Sequence, residues 1–598
     1  MWKVSPVVQL KVKKIFRFSV AALLTAALLS GCLGKSGESG SAGESSQVTP
    51  AAESSVAAPE ESQTAEPAGS ETNEDAMIGS DLVPLASDDN YRTTYEVFVY
   101  SFADASEGPL AGDGIGDLAG LIEKLDYIND GVPERTDDLG CDSIWLMPIF
   151  PSPTYHKYDA TDYCSIDPVY GTMTDFEGLI GACHERGMTV ILDLALNHTS
   201  TEHRWFQKAL EYMRTLQPFE DIDTSVEPCY SYYNFRNTPA DGFAKLNLTD
   251  SNDPNREWYY EARFWEGMPD LNLDNDNVRA EIRDIVSFWL DKGVDGFRLD
   301  AVTSYYTDEK MKSIDFLDWF NDTVKEIKPD AYLVGEAWAA RETYADYYGS
   351  GVDSFFDFAF SGADGIIAQV VKGTRGADYF ASSLAEEEAL YASKNENFVN
   401  APFYTNHDMA RSAGYYAYDD GTKTKFAEGL NLMMGGNAFI YYGEELGMKG
   451  SGKDENKRAP MFWTAEESGD NTSFMTAGPP GMDKVAMKFP AADEQAEDPS
   501  SILSYVKQAV RIRSAFPAIK KGRTVVDETL TSGSLAVFSR EAEGCDKVFI
   551  FINSGEEPCE VPVEGYGALT AELVTGDMHA AVTDNVLTLP AYGIAVMK

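Results

Sequence analysis

The sequence predicts an α/β fold: a (β/α)8 TIM barrel with an inserted subdomain after its third strand and an all-β sandwich domain at the C-terminus. Three observations lead there. From Tyr91 onward, short β-rich apolar runs alternate with amphipathic stretches, the pattern of repeated βα units around a parallel sheet. After the third run, residues 199–273 interrupt the alternation with a segment far longer than the usual βα connection. Beyond about Ile519 the pattern changes to short alternating runs, SLAVFSR, KVFIFIN and YGIAVMK, with no helical stretch between them.

Taken in chain order, the first element is an address. Lys11, Lys13, Lys14 and Arg17 precede an apolar run over 18–29, the length of a signal-peptide core and too short to span a bilayer. The run ends in Leu29, Ser30, Gly31 and Cys32, which resembles the lipobox of bacterial lipoproteins. The expectation is that residues 1–31 are removed and Cys32 is lipidated, anchoring an exported protein at the surface of the bacterial membrane. Residues 32–88 are Ser, Ala, Glu, Gly, Pro and Thr with almost no aromatic content, too little apolar surface to fold. They are expected to form a tether whose reach is on the order of 40 Å.

The barrel is assigned to 89–198 and 274–519. Its eight candidate strands are YEVFVYSF, DSIWLMPIF, TVILDLALN, GVDGFRLD, AYLVGEAW, SFFDFAF, FVNAPFYTNHD and AFIYYGEE. Helical patterns such as DLAGLIEKLDYIND, FEGLIGACHERG, NVRAEIRDIVSFWLDKG and FLDWFNDTVKEI lie between them. In such a barrel the reacting groups sit at the C-terminal ends of the strands. In the insertion, Tyr232, Tyr233, Phe235, Trp258, Tyr259 and Trp265 are expected to wall one side of a cleft. Residues 520–598 form the terminal β domain.

Composition narrows the partners. With 48 Lys and Arg against 97 Asp and Glu, a formal charge of -49 repels phosphate backbones, so nucleic acid is excluded as a partner, and a neutral ligand fits. Apart from Cys32, the cysteines (Cys141, Cys164, Cys183, Cys229, Cys545 and Cys559) form no CxxC pair or Cys/His cluster, which argues against zinc. Cys545 and Cys559 are spaced either to bridge or to remain buried thiols.

Four strand ends carry DLALNH (193–198), GFRLDAV (296–302), GEAW (335–338) and FYTNHD (403–408). Together with GCDSIWLMPIF, MPDLN (268–272) and YYGEE they resemble the signature regions of the α-amylase family, glycoside hydrolase family 13. The resemblance covers about 91–598, agreeing in sequence, order and strand position. It implies starch or maltooligosaccharides as substrate and chemistry that requires no cofactor. Asp300 is implied as nucleophile, Glu336 as acid/base, and Asp408 as the third carboxylate, gripping hydroxyls of the distorted ring. Arg298, two residues before Asp300 and so on the same strand face, is expected to hold the nucleophile ionised. His198 and His407 are implied as sugar hydrogen-bond partners and Tyr158 as a stacking platform. His156, Asp159 and Trp338 are further candidate sugar contacts, with Asp193 and Asn197 as supports. Three of the six histidines, His156, His198 and His407, fall inside these segments, which scattered structural histidines would not do.

Retaining glycoside hydrolysis needs two carboxyls about 5 to 5.5 Å apart, and ends of neighbouring strands supply such a pair. Departures from the family pattern concern metal. Where many relatives have Lys and His after the nucleophile, this chain has Thr303 and Ser304. In GPLAGDGIGD, the implied calcium loop retains Asp113 and Asp117 as its carboxylates, with Pro109 and Ala111 in the first two ligand places. MPDLN resembles an intermediate group between oligo-1,6-glucosidases and neopullulanases. The leading expectation is an endo-acting α-amylase on α-1,4-glucans. Its rivals are an exo-acting α-glucosidase or oligo-1,6-glucosidase, favoured by KRAPMFW (457–463), and a non-catalytic glucan-binding lipoprotein, which would need no reacting pair.

Overall fold

A computed structural model describes residues 77–465 and 476–598. The leader, Cys32 and the tether as far as residue 76 lie outside the described residues. Residues 77–88, assigned on composition to the tether, hydrogen-bond to the folded unit: Ile78 N donates to Glu572 Oε1 at 2.9 Å, Leu85 N to Ser514 O, and Arg511 Nη1 to Leu82 O. Composition missed this because a few hydrogen bonds through the main chain and one partly buried Leu82 need no hydrophobic run.

The barrel strands pair in parallel in the order eighth, first, second, third, fourth, fifth, sixth. In chain order they are Thr93–Val97, Ser143–Leu146, Thr189–Leu194, Gly296–Leu299, Tyr332–Gly335, the two-residue Ser354–Phe355, and, as the eighth, Ala438–Tyr441. The seventh, expected in FVNAPFYTNHD, is no regular strand. It appears as two parallel bridges, Phe356 to Ala401 and Phe403 to Phe439, which close the ring between the sixth and eighth. Pro402 sits between those bridges, and proline has no N–H to give to a ladder.

Period-two alternation sorts the side chains. Trp145, Ile191, Tyr332, Val334, Phe356, Phe403 and Phe439 point inward and fill the barrel. Ile144, Leu192, Phe297, Leu333 and Ile440 point outward to the helix layer. The helix Met173–Glu185 starts at a Thr172–Asp175 capping box, and Asp276–Asp291 at the Asn275 side chain. The single helix expected in DLAGLIEKLDYIND is two short ones, Leu118–Glu123 and Leu125–Ile128.

The insertion has the helix Arg204–Thr215 and a small antiparallel sheet with Trp258–Glu261 between Phe235–Arg236 and Phe243–Leu246. Most of the aromatics expected to wall a cleft are its own core: Tyr232, Tyr233, Trp258 and Tyr259 are buried. A segment this size must bury its rings to stand, so only Trp265 among the six stays exposed.

The C-terminal domain stacks a five-stranded antiparallel sheet on a three-stranded one. Val537, Phe551, Ala595 and Met597 of the large sheet meet Val561, Leu587 and Leu589 of the small one. The alternate residues, Phe538, Ile550, Ile552, Ile594 and Val596, join the main barrel core. Arg540 Nη1 reaches Glu388 Oε1 of a barrel helix at 2.7 Å, locking the two domains with a buried ion pair. Cys545 and Cys559 are free thiols, not a bridge.

Candidate active site

Three neighbouring strands place their inward residues at one end of the barrel. Asp193 on the third is in register with Arg298 on the fourth, and Leu299 with Gly335, which puts Asp300 and Glu336 side by side just past the ladder. Arg298 is fully buried. Its Nη1 donates to Asp193 Oδ1 at 2.8 Å and Asp300 Oδ1 at 2.7 Å. Its Nη2 lies 3.0 Å from Glu336 Oε2, a charge contact without hydrogen-bond alignment. The rings of Trp145 and Tyr158 stand 5.1 and 5.8 Å from the guanidinium. One cation thus serves three carboxyl groups.

The backbone after Asp300 is special. Ala301 is left-handed, φ 44° and ψ 46°, at a cost of roughly 1 kcal/mol for a residue with a Cβ. Glu336 holds that turn: Ala301 N donates to its Oε2 at 3.1 Å and Val302 N to its main-chain oxygen at 3.0 Å.

Glu336 is buried, and its Oε1 has no hydrogen-bond partner in the protein. Burial pushes its carboxyl up to about 7, against the pull of Arg298 and with the help of Asp300 and Asp408. Asp408 moves the other way. Burial alone would raise its carboxyl, but His407, then Arg458 and Arg298, hold it well below the usual carboxylate range. Its side chain is 35% exposed, its Oδ1 pairs with Arg458 Nη2 at 2.7 Å, and its Oδ2 lies 3.3 Å from His407 Nε2.

His407 is fully buried between acids. Its Nδ1 lies 2.5 Å from Glu96 Oε1, and Asp408 and Glu96 lift it to about 10 although burial alone would lower it. His407 is therefore an imidazolium near neutrality. Tyr158 OH bridges Asp193 Oδ2 at 2.9 Å and His407 Nε2 at 2.8 Å, and its ring stacks at 5.5 Å on that imidazole. His156 is neutral, lowered by burial to about 4, and its Nδ1 accepts from Tyr158 N. That leaves Nε2 carrying the proton. His198 is also lowered by burial, its Nε2 donates to Tyr158 O, and its buried Nδ1 has no protein partner. Trp338 is half exposed, stacked at 5.0 Å on Phe358.

Asp159, expected beside the sugar, is instead a loop clamp. It is 1% exposed, and its Oδ1 accepts from the hydroxyls of Ser152, at 2.7 Å, and Thr154. Sequence reading also missed Glu96, Arg458, Lys457 and Tyr155. Lys457 Nζ donates to Asp408 O at 2.7 Å, and Arg458 Nη1 to Tyr155 OH at 3.0 Å. The one available signal was Glu96 itself, a charge inside the apolar strand YEVFVY, since a buried charge needs a partner.

The loop implied for calcium does not fit a cation. Asp117 caps the helix Leu118–Glu123 through Gly120 N at 2.8 Å and accepts from Ala105 N with its other oxygen. Asp113 is exposed and accepts from Ile115 N. Asp104 takes Gly112 N and Gly114 N at 2.8 and 2.7 Å. The loop amides converge on carboxylates, whereas calcium needs six to eight converging oxygens. At the barrel–insertion junction, Asp270 is likewise taken by Asn197 Nδ2 and Arg263 N. Among the described residues no cluster of three or more metal-type side chains forms.

The α-amylase catalytic-domain family matches residues 96–522. Alpha-amylase 3 of Dictyoglomus thermophilum is 39% identical over 430 residues, 72% of this chain and 78% of its own length. The solved structure of Eubacterium rectale Amy13B superposes with a TM-score of 0.80 at 44% identity, covering 87% of this chain and 97% of that one. A probable alpha-glucosidase of Rhizobium meliloti is 27% identical over 579 residues, 83% of this chain and 95% of its own length. With this barrel, these strand-end carboxyls and these relatives, the chain belongs to the α-amylase family, glycoside hydrolase family 13, and is an α-glycoside hydrolase that acts on α-glucans without a catalytic cofactor.

Proposed function

We propose that the protein is an endo-acting α-amylase that hydrolyses α-1,4-glucans and maltooligosaccharides with retention of configuration. The observation that carries this is the pair Asp300 and Glu336, which share one guanidinium at the mouth of the barrel. Arg298 at 2.7 Å stabilises negative charge on Asp300, while burial keeps a proton on Glu336 to about pH 7. Asp300 attacks the anomeric carbon as the glycosidic C–O bond breaks, and Glu336 gives its proton to the departing oxygen. Glu336, now a carboxylate, takes a proton from water; that oxygen attacks the same carbon and frees Asp300. Asp408, His407, His198, His156 and Tyr158 hold the ring's hydroxyls and faces, and Trp338 meets the chain beyond them. Interactions of this kind accelerate the reaction only where they strengthen in the transition state.

The test is one digest of amylose followed by proton NMR and chromatography. Early appearance of α-anomers and a ladder of maltooligosaccharides is expected. Early β-anomers would overturn retention. Glucose alone from chain ends would favour the α-glucosidase reading, whose specific support is Arg458 of KRAPMFW reaching Asp408. We also infer lipidation at Cys32 and a surface location, motivated by the basic, apolar and small-plus-Cys order of the leader. Activity in the membrane fraction that moves to the soluble fraction with Cys32→Ser is the expected result.

A further inference from the structure

The insertion buries most of its aromatic side chains, but Phe264 and Trp265 are each 47% exposed. Both lie on the turn leaving the strand Trp258–Glu261, and that turn is tied to the site. Thr201 N donates to Gly267 O at 3.0 Å, Met268 N to Trp265 O at 2.9 Å, and His198 bridges to Asp270. The Phe264 ring stands 5.1 Å from the imidazole of His198. The indole of Trp265 lies against the backbone of Gly267, where an added Cβ would meet Cζ2 at 2.1 Å and Cη2 at 2.2 Å. A glycine therefore seats one side of the indole while nearly half of the side chain stays in water.

We propose that Phe264 and Trp265 form a stacking platform for a glucosyl ring beyond the one being cleaved, so that the insertion selects for longer glucan chains. The proposal rests on the hydrolase reading above. A pyranose presents C–H faces that are apolar and flat, and a fixed aromatic face removes them from water at little conformational cost. Exposed aromatic area next to a sugar-binding histidine is otherwise a solvation penalty with nothing to offset it. Phe264 beside His198 makes the platform continuous with the reacting ring's own contacts, and Trp265 follows it on the same turn with its indole seated on Gly267.

The experiment compares kcat/KM on maltoheptaose and maltotriose for the full chain and for Trp265→Ala, Phe264→Ala and Gly267→Ala. The ratio of long to short is expected to fall about tenfold in Trp265→Ala, the loss of roughly half an indole's burial. Gly267→Ala should lower the ratio in the same direction, because its methyl displaces the indole without removing it. Phe219→Ala, an exposed aromatic elsewhere in the insertion, is expected to leave the ratio at the wild-type value. An unchanged ratio in Trp265→Ala, or an equal fall on both substrates, would overturn the platform while leaving the hydrolase reading intact. A wild-type chain inactive on both sugars would bring down that reading and the platform with it.

Discussion

The barrel contains two groups of three carboxyls, and they are opposites. At the strand ends, Asp300, Glu336 and Asp408 are interleaved with Arg298, His407 and Arg458, and Asp408 opens to solvent. Behind the eighth strand, Glu428, Glu444 and Glu445 are all buried, and no cation lies within ion-pair distance of them among the described residues. Glu444 accepts from Thr405 Oγ1 and Glu445 from the hydroxyls of Tyr95 and Tyr127, while both Glu428 oxygens lack a partner. Burial raises Glu428 well above the ordinary range, with Glu444 and Glu445 adding to it. A concentration of acids is therefore not what makes a reactive centre. In one group, cations drive neighbouring carboxyls into different protonation states; in the other, burial drives them all toward neutrality.

The sharpest way to break this comparison is to neutralise the pair proposed to react, Asp300 and Glu336. Glu336→Gln and Asp300→Asn are each expected to lower kcat on amylose by about 10⁴-fold or more while glucan affinity survives. In the proposed reaction Glu336 acts in its protonated form, so wild-type kcat/KM should fall as pH rises through about 7. Undiminished turnover in either variant would remove the pair from the chemistry. A smaller effect is expected from Arg458→Met. Once His407 and Arg298 alone oppose burial, the Asp408 carboxyl rises, the acid limb of the pH profile moves to higher pH, and kcat/KM drops roughly ten- to hundredfold. A drop with an unmoved acid limb would mean that Arg458 acts only by packing.

The smallest effect is on stability and falls in the other group. A carboxyl whose folded pKa lies above its unfolded one contributes stability below the unfolded value and loses it as pH rises through the folded one. Glu428→Gln should therefore raise Tm at about pH 8 and change it little at about pH 5, measured by calorimetry. Equal shifts at both pH values would show that Glu428 titrates as an ordinary acid.

What was legible in the sequence was whatever rests on local period or short motifs. The short apolar runs DSIWLMPIF and GVDGFRLD, and the carboxyl that closes the second, read directly into the barrel strands and their mouth. What was hidden depends on contacts between distant residues. Glu96 and His407 are 311 positions apart, and Arg458 meets Tyr155 across 303; no spacing rule joins them. The seventh strand is readable as an apolar run, but Pro402 leaves its ladder one N–H short and reduces it to two bridges. Asp159 was hidden because a motif gives the residue and not the direction of its carboxyl, whose Oδ1 is taken by Ser152 and Thr154.

The left-handed peptide at Ala301 has a consequence for timing. Its N–H is given to Oε2 of the Glu336 carboxyl, the group that surrenders a proton in the proposed reaction. A hydrogen bond to an ionised acceptor is about twice as strong as one to a neutral acceptor. The instant the leaving sugar is protonated, the grip on the main chain carrying Asp300 tightens, and it slackens again when water restores the proton. In that proposed reaction the covalent intermediate and the tighter contact arise and vanish together, linked through a single amide.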